Sequence, residues 1–373
     1  MFEYSKLESE RFGYNIYRSS HENEINFKQL KLEIIENEVD IVFIRLNSLY
    51  KRSNMKIMNM GFPVIHSDTL VYYKCQLDKI DYKSFKNDLS FIEFDSSAMQ
   101  ILDFLVKNIF SDYTNHYWTN TYLNQESAIL GYIEWAQNYF EQSNDSTFSK
   151  KGWIVFKEDK PIGFATVKVD GKIGEGVLYG VLNEYSGGGV YSDIIRFTQN
   201  YLKEIGCSEM RVSTQIQNFA VQKVWSREGF YLFQSFDTYH LNTMLQFKND
   251  SSPIETLIVT EDNLRLFIDA TGDDNRVHTD DEFAKSKGLN GKIAHGVLID
   301  AIQSKRFGTL DPGHGTLYAG INNVFIEPVY LNEEYIMQFK EIYQRNNIYQ
   351  IITIIKNKTD KIVFISYNVL IKK

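Results

Sequence analysis

Two stretches of the chain combine residue types and spacings that could carry chemistry. In the run Thr271-Gly272-Asp273-Asp274-Asn275-Arg276-Val277-His278, Asp273 and His278 stand five residues apart around a turn. Such a pair could bracket one water, the imidazole tuned by the carboxylate, and move protons to and from it. His295 follows His278 by seventeen residues, and Gly296 then opens an apolar helix running through Ile302. A glycine at a helix start offers an unobstructed N–H backed by the helix dipole, which suits a developing oxyanion. The plainer alternative makes Asp273 and Asp274 turn residues and His278 a surface imidazole.

The second stretch lies earlier in the chain. An apolar strand, Val177–Leu182, runs into Asn183-Glu184-Tyr185-Ser186-Gly187-Gly188-Gly189 and from Val190 directly into a helix. Glycines let the backbone N–H groups of Gly187, Gly188, Gly189 and Val190 approach an anion, and a helix N-terminus adds about half a positive charge. Strand, glycine-rich turn and helix in that order make a pyrophosphate cradle, although a flexible surface loop would look similar. Asn218, in Thr214-Gln-Ile-Gln-Asn218-Phe-Ala220, reads either as a ligand contact or as the cap of the helix that follows it.

The elements that must hold these groups are legible in outline. The chain has 373 residues, room for two or three domains. The polar run Phe247–Pro253 separates two apolar-rich regions and marks a boundary near residue 250. We expect an N-terminal subdomain over 1–85, a second domain over 86–247 and a further domain over 254–373. Before the boundary, strands are expected over Glu38–Leu46, Thr69–Lys74 and Glu209–Thr214. Helices are expected over Ser97–Phe110, Tyr191–Ile205 and Ala220–Arg227. Gly152–Phe156 and Pro161–Val169 read as a hairpin turning at Glu158-Asp159-Lys160, and Glu141–Lys151 as a loop.

Composition bounds the function. Forty Lys and Arg against 48 Asp and Glu give a net charge of -8, unlike a general nucleic-acid binder, though a local basic pocket for a phosphate remains open. Two cysteines, Cys75 and Cys207, fit no disulfide framework and no zinc motif, so no metal is expected. No run approaches the roughly 18 apolar residues of a membrane span, and the charged start lacks a signal region. The expectation is a cytoplasmic protein without a membrane association.

Residues 177–230, with the Asn218-Phe-Ala220 helix ending in Gly229-Phe230, resemble the GNAT N-acyltransferase superfamily. The likeness extends diffusely over 5–245 and is closest to the dTDP-fucosamine acetyltransferase group. There Glu8-Ser-Glu-Arg-Phe12-Gly13, Met60-Gly61-Phe62 and the aromatic segment with Tyr117, Tyr132, Trp135 and Tyr139 also look similar. The resemblance implies that the glycine loop and a strand hold acyl-CoA while the amine of a nucleotide-linked amino sugar attacks the thioester. The tyrosine that commonly protonates the thiolate is here Trp225, whose indole N–H is a donor but not an acid. Tyr231 or Tyr239 could supply the proton instead. Ser186 stands where Arg or Gln is common, and Glu175, Tyr179 or a water are candidates for the base.

Residues 256–373 resemble the MaoC-like, (R)-specific enoyl-CoA hydratases, which have the hot-dog fold. Phe267 to Asp280, Ile293-Ala-His295-Gly296, Gly315-Thr-Leu-Tyr318 and Phe325-Ile-Glu-Pro328-Val329-Tyr330 carry the likeness. It implies Asp273 and His278 as the catalytic pair, Gly296 in an oxyanion hole, His295 in a structural role and a homodimer or larger assembly through the hot-dog domain. Arg276 departs from the usual proline and could hold Asp273, contact a CoA phosphate, or mark a non-catalytic descendant. His240 and His314 have no visible partner.

The fold class expected is α+β, a GNAT fold with an N-terminal extension followed by one hot-dog domain. The function expected is bifunctional. A short enoyl-CoA is hydrated to a 3-hydroxyacyl-CoA, and that acyl group passes to the amine of a nucleotide-linked amino-deoxysugar for a surface glycan. The alternatives are a plain N-acetyltransferase with a non-catalytic hot-dog dimerisation domain, and an inactive acyltransferase half on a working hydratase.

Overall fold

The computed structural model describes residues 2–81, 83–95, 98–140, 148–247 and 253–373. Most of the polar seam and residues 141–147 of the expected loop lie outside these. Residues 148–151 are strand, because their backbone pairs in register with Asp170, Val169, Lys168 and Val167.

The chain forms two compact units: Met1–Ile25, Val42–Met55 and Val64–Leu241, and Asn26–Ile41, Lys56–Pro63 and Asn242–Lys373. The first contains strands β1 (Phe2–Tyr4), β2 (Ile16–His21), β3 (Ile41–Asn47), β4 (Val64–Gln76) and β5 (Ser90–Glu93). It continues with β6 (Phe148–Lys157), β7 (Lys160–Asp170), β8 (Ile173–Val181), β9 (Glu209–Gln215) and β10 (Tyr231–Asn242). They form one sheet in the order β1-β2-β3-β10-β4-β9-β8-β7-β6-β5. The expected strand at Glu38 begins at Ile41 because Glu38 takes a left-handed φ of 44°. The β6–β7 turn uses left-handed Glu158 and Asp159, as a tight hairpin requires.

Alternation along β6 decides what covers the sheet. Ile154 joins a core with Leu102, Leu105 and Val106 of helix Met99–Phe110. Its neighbour Trp153 joins Ile195 and Leu202 of helix Val190–Glu204 on the opposite face. Each such side chain, fully buried, contributes about 1.5–3 kcal/mol.

One irregularity opens the sheet. Parallel β8 and β9 pair only from Ile173↔Glu209 to Gly176↔Val212. Beyond that the strands part, and residues on both free edges turn toward a cavity.

The second unit holds an antiparallel sheet in the order β11-β13-β14-β15-β12. Its strands are β11 (Ile254–Ile258), β12 (Thr316–Phe325), β13 (Glu334–Arg345), β14 (Ile348–Lys356) and β15 (Ile362–Lys372). Helix Gly296–Thr309 packs Leu298, Ile299 and Phe307 against Ile351, Ile355, Phe364 and Leu370. A capping box at Thr260 and Asn263 starts helix Glu261–Thr271, and Gly272 ends it with a φ of 75°. The chain then turns into Asp273 and the short helix Arg276–Thr279. Among the described residues no helix is long and apolar enough to cross a membrane.

Candidate functional site

In the first unit, helix Val190–Glu204 starts from Gly189, whose φ of 89° is left-handed, as is that of Gly187 at 84°. Both conformations favour glycine. A Cβ at Gly187 or Gly188 would meet nothing within 4 Å, so this concave turn is open. Val190 is buried as the first helical residue. Residues absent from the sequence reading stand beside the loop. Asn87 donates through Nδ2 to the Gly188 carbonyl (3.2 Å), and the Lys86 stem lies 3.1 Å from where a Gly189 Cβ would be. Both are held there by Asp193, which is fully buried and accepts from the Lys86 N–H (3.0 Å), the Asn87 N–H (2.9 Å) and Asn87 Nδ2 (2.8 Å). Nothing near Lys86 in the sequence points to this pairing a hundred residues away.

The parted ends of β8 and β9 open into a cavity of about 610 Å³. Val177, Leu178 and Tyr179 line it from one strand, and Ser213, Thr214 and Gln215 from the other. Such a volume suits a small-molecule substrate. Asn218 lines it too and also caps the next helix, accepting from the Val221 N–H (3.5 Å) and donating to Thr214 Oγ1 (3.1 Å). Trp225, buried, forms part of the wall beside Tyr191. Burial pushes the phenols of Tyr179 and Tyr191 well up, so both stay protonated donors. Tyr179 donates to Thr198 Oγ1 (3.2 Å), and Glu175 is paired with Lys168 (2.8 Å). Tyr231 and Tyr239 are not among the lining residues. The Glu8 carboxyl closes another side of the cavity, accepting from Arg18, Tyr117 and Ser5. Burial pushes this carboxyl up, but those hydrogen bonds and the Arg18 charge outweigh it and hold it below its usual range.

The apparently unpartnered His240 lies in a fixed chain of donors. The Asn120 Oδ1 accepts the Tyr122 N–H, which turns its Nδ2 toward His240 Nδ1 (3.2 Å). His240 therefore carries its proton on Nε2 and donates to His116 Nδ1 (2.9 Å), leaving the His116 proton on Nε2. His116 lines the cavity. Burial lowers both imidazoles, His240 to about 3 and His116 well below its ordinary value. Both remain neutral when folded, whereas the unfolded chain takes up protons below about pH 6.5. Stability should therefore fall as pH drops from about 6.5 to 5, by up to about 1.4 kcal/mol per pH unit for each histidine. Urea unfolding across that window checks this. His240→Gln should make the fall shallower by about one proton, and an unchanged slope would contradict a neutral folded His240.

In the second unit, His278 donates from Nδ1 to the Ile293 carbonyl (2.8 Å), so in the neutral ring Nε2 carries the lone pair. Burial lowers its pKa, with the His295 charge adding to this and the Ile293 bond and Asp273 opposing. His295 is buried and stacks on the His278 ring at 3.7 Å. It donates from Nε2 to the Asp273 carbonyl (3.0 Å), and the Asp273 carboxylate lies 3.6 Å from the same nitrogen. Asp273, His278 and His295 thus form one cluster. The Asp273 carboxylate is 53% exposed, so water reaches it. Gly296 opens helix Gly296–Thr309, and a Cβ there would sit 2.5 Å from the Phe325 ring. Arg276 does not hold Asp273. It pairs with Asp280 (2.7 Å) across one helical turn and covers the Phe283 ring at 4.3 Å. Among the described residues no three His, Cys, Asp or Glu side chains gather as metal ligands.

Two family models match separate stretches of the chain. Residues 110–230 match the acetyltransferase (GNAT) family and residues 247–361 the MaoC like domain. No curated protein matches the chain. Among solved structures, the unliganded R-hydratase PhaJ1 from Pseudomonas aeruginosa is 28% identical over 34% of this chain and 82% of its own, with a TM-score of 0.31. An (R)-hydratase from A. caviae involved in PHA biosynthesis is 21% identical over 34% of this chain and 98% of its own, at a TM-score of 0.31. A GCN5-related N-acetyltransferase from Sphaerobacter thermophilus is 11% identical over 54% of this chain and 60% of its own, at 0.40.

Proposed function

From a chain that joins a GNAT-family N-acyltransferase domain to a MaoC-like, enoyl-CoA hydratase-like domain of hot-dog fold, we propose two successive reactions on one acyl group. The observation that carries this reading is the fusion of two acyl-CoA-handling domains in one chain. In the second unit, water adds across the double bond of a short 2-enoyl-CoA. His278 and Asp273 share that water, its hydroxyl goes to the β-carbon and a proton to the α-carbon. The Gly296 N–H supports the thioester oxygen as it gains charge. In the first unit, the glycine turn and Val190 hold the pyrophosphate of the resulting 3-hydroxyacyl-CoA. A neutral amine attacks its thioester carbonyl, the C–N bond forms, and the C–S bond breaks. As the amide forms the nitrogen sheds one proton; a cavity phenol, Tyr191 or Tyr179, passes its proton to the departing thiolate and takes up the proton released by the nitrogen, so that the thiol leaves neutral.

The acceptor in this reading is the amine of a nucleotide-linked amino-deoxysugar, destined for a surface glycan. The size of the cavity and its mixed aromatic and charged walls support it. The exposed apolar residues Leu317, Ile321 and Phe325 on edge strand β12 support a homodimer, and sedimentation as a strict monomer would refute that part.

The test is mass spectrometry of a reaction holding crotonyl-CoA and dTDP-4-amino-4,6-dideoxyhexoses. A 3-hydroxybutanoyl amide is expected. An acetyl amide from acetyl-CoA, with no hydration of any enoyl-CoA, would instead establish the acetyltransferase with a non-catalytic hot-dog domain.

A further inference from the structure

Charge pairing around the large cavity leaves one exception. Four cationic side chains line it: Arg11, Arg18, Arg45 and Lys168. Arg11 pairs with Glu134 (2.5 Å), Arg18 with Glu8, and Lys168 with Glu175 (2.8 Å). Arg45 makes no hydrogen bond or ion pair among the described residues. It is the one half-buried residue of β3, whose other six residues are buried. A second cavity of about 190 Å³ shares Arg45, Tyr72 and Glu175 with the first. The unpaired Arg45 therefore borders both spaces. It is also close enough to the buried Asp68 carboxyl to oppose, by charge alone, the rise that burial imposes on it.

A half-buried guanidinium without a partner forgoes hydrogen bonds that a chain usually supplies from its own carboxylates. Here the neighbouring arginines all have such carboxylates. An oxyanion entering the cavity would offer this guanidinium a bidentate contact. The thioester end of the site is set by the parted ends of β8 and β9. The acceptor must therefore present its amine there and leave its remaining length for the rest of the cavity and the smaller space beyond Arg45.

We propose that Arg45, which borders both cavities, is the anion anchor of the acyl acceptor and binds a phosphate of its diphosphate group. This rests on the reading of the first unit as an amine acyltransferase and specifies its substrate as an amine carrying a diphosphate. Arg45 is a positioning residue. It touches neither the thioester nor the amine, so its loss weakens acceptor binding and not the handling of acyl-CoA.

The experiment uses the full chain, with Arg45→Gln and Arg45→Lys. Because Arg45 makes no hydrogen bond or ion pair among the described residues, Arg45→Gln should fold, and a circular dichroism melt checks this. KM for a nucleoside-diphosphate amino sugar should rise about 10- to 100-fold in Arg45→Gln. KM for acyl-CoA should stay level, and kcat should change by less than about threefold. Arg45→Lys, a point charge without the fork, should recover part of the loss. The same amino sugar as its methyl glycoside should be a poor substrate of the wild type and indifferent to the substitution. An unchanged KM for the diphosphate acceptor, or a rise confined to acyl-CoA, would overturn the proposal. If no amine is acylated at all, the functional reading fails, and calorimetry with dTDP, UDP and inorganic diphosphate decides Arg45 separately. Binding by the wild type that is lost in Arg45→Gln upholds the anchor, and no binding by the wild type overturns it.

Discussion

Asp273→Asn and His278→Ala should each lower hydration of crotonyl-CoA by at least about 100-fold, read from loss of the enoyl thioester absorbance, a loss of the size expected for general acid–base groups. The His278 Nδ1–H is committed to the Ile293 carbonyl, so Nε2 is the nitrogen left for the water. Alanine removes that lone pair outright, and asparagine at 273 removes the carboxylate charge while keeping the shape. The pH profile adds a second readout. Because burial lowers the His278 pKa, the ring stays neutral to below about pH 6.5, and the acid limb of hydration should lie below that of an ordinary histidine. His295→Gln, which can still donate to the Asp273 carbonyl, should cost far less. Full activity in His278→Ala would remove this cluster from the reaction.

The cluster of Asp273, His278 and His295 is close to legible in the sequence because its members sit on neighbouring stretches of chain. The turn after helix Glu261–Thr271, the His278 helix and the Gly296 helix start are all local events, each written in caps and glycines. The Arg276–Asp280 pair is local as well. Its four-residue spacing on a helical turn is visible in the sequence, although Asp280 is not among the three roles that the sequence suggests for Arg276. The glycine turn was legible for the same reason, since a left-handed start to a helix leaves a mark in residue type.

What stayed hidden was assembled across the sheet. His116 meets His240, Arg45 meets the edges of two cavities, and Lys86 with Asn87 meets Gly188 and Asp193 only once the ten strands are ordered. No periodicity or motif links positions a hundred residues apart. Neutral buried histidines and an unpaired arginine also look, in sequence, like any others. The parting of β8 from β9 is of this kind too, because it depends on where pairing stops and not on which residues the strands contain.

Asp193→Ala follows from that hidden layer and should destabilise the first unit by about 3–5 kcal/mol, the usual cost of breaking a buried charged network. Asp193 is fully buried, and besides the Lys86 and Asn87 donors it accepts from Arg196 (3.2 Å). Arg196 is held in turn by both oxygens of Glu228 (3.0 and 2.8 Å), which Lys83 also reaches (3.1 Å). Removing the carboxylate strands two backbone N–H groups and leaves the guanidinium with Glu228 and the Ser84 carbonyl (2.9 Å). For a unit of this size the melting temperature should drop by about 6–20 °C. Asp193→Asn, which keeps one acceptor oxygen, should lose less. The same change frees Lys86 and Asn87 from their place over Gly188 and Gly189, so KM for acyl-CoA should rise at temperatures where the variant remains folded. Lys86→Ala separates the two effects, because it touches the turn without touching Asp193. It should raise KM for acyl-CoA while leaving the melt in place. A stable Asp193→Ala with unaltered KM would mean that the segment around Lys86 is held by something other than this carboxylate.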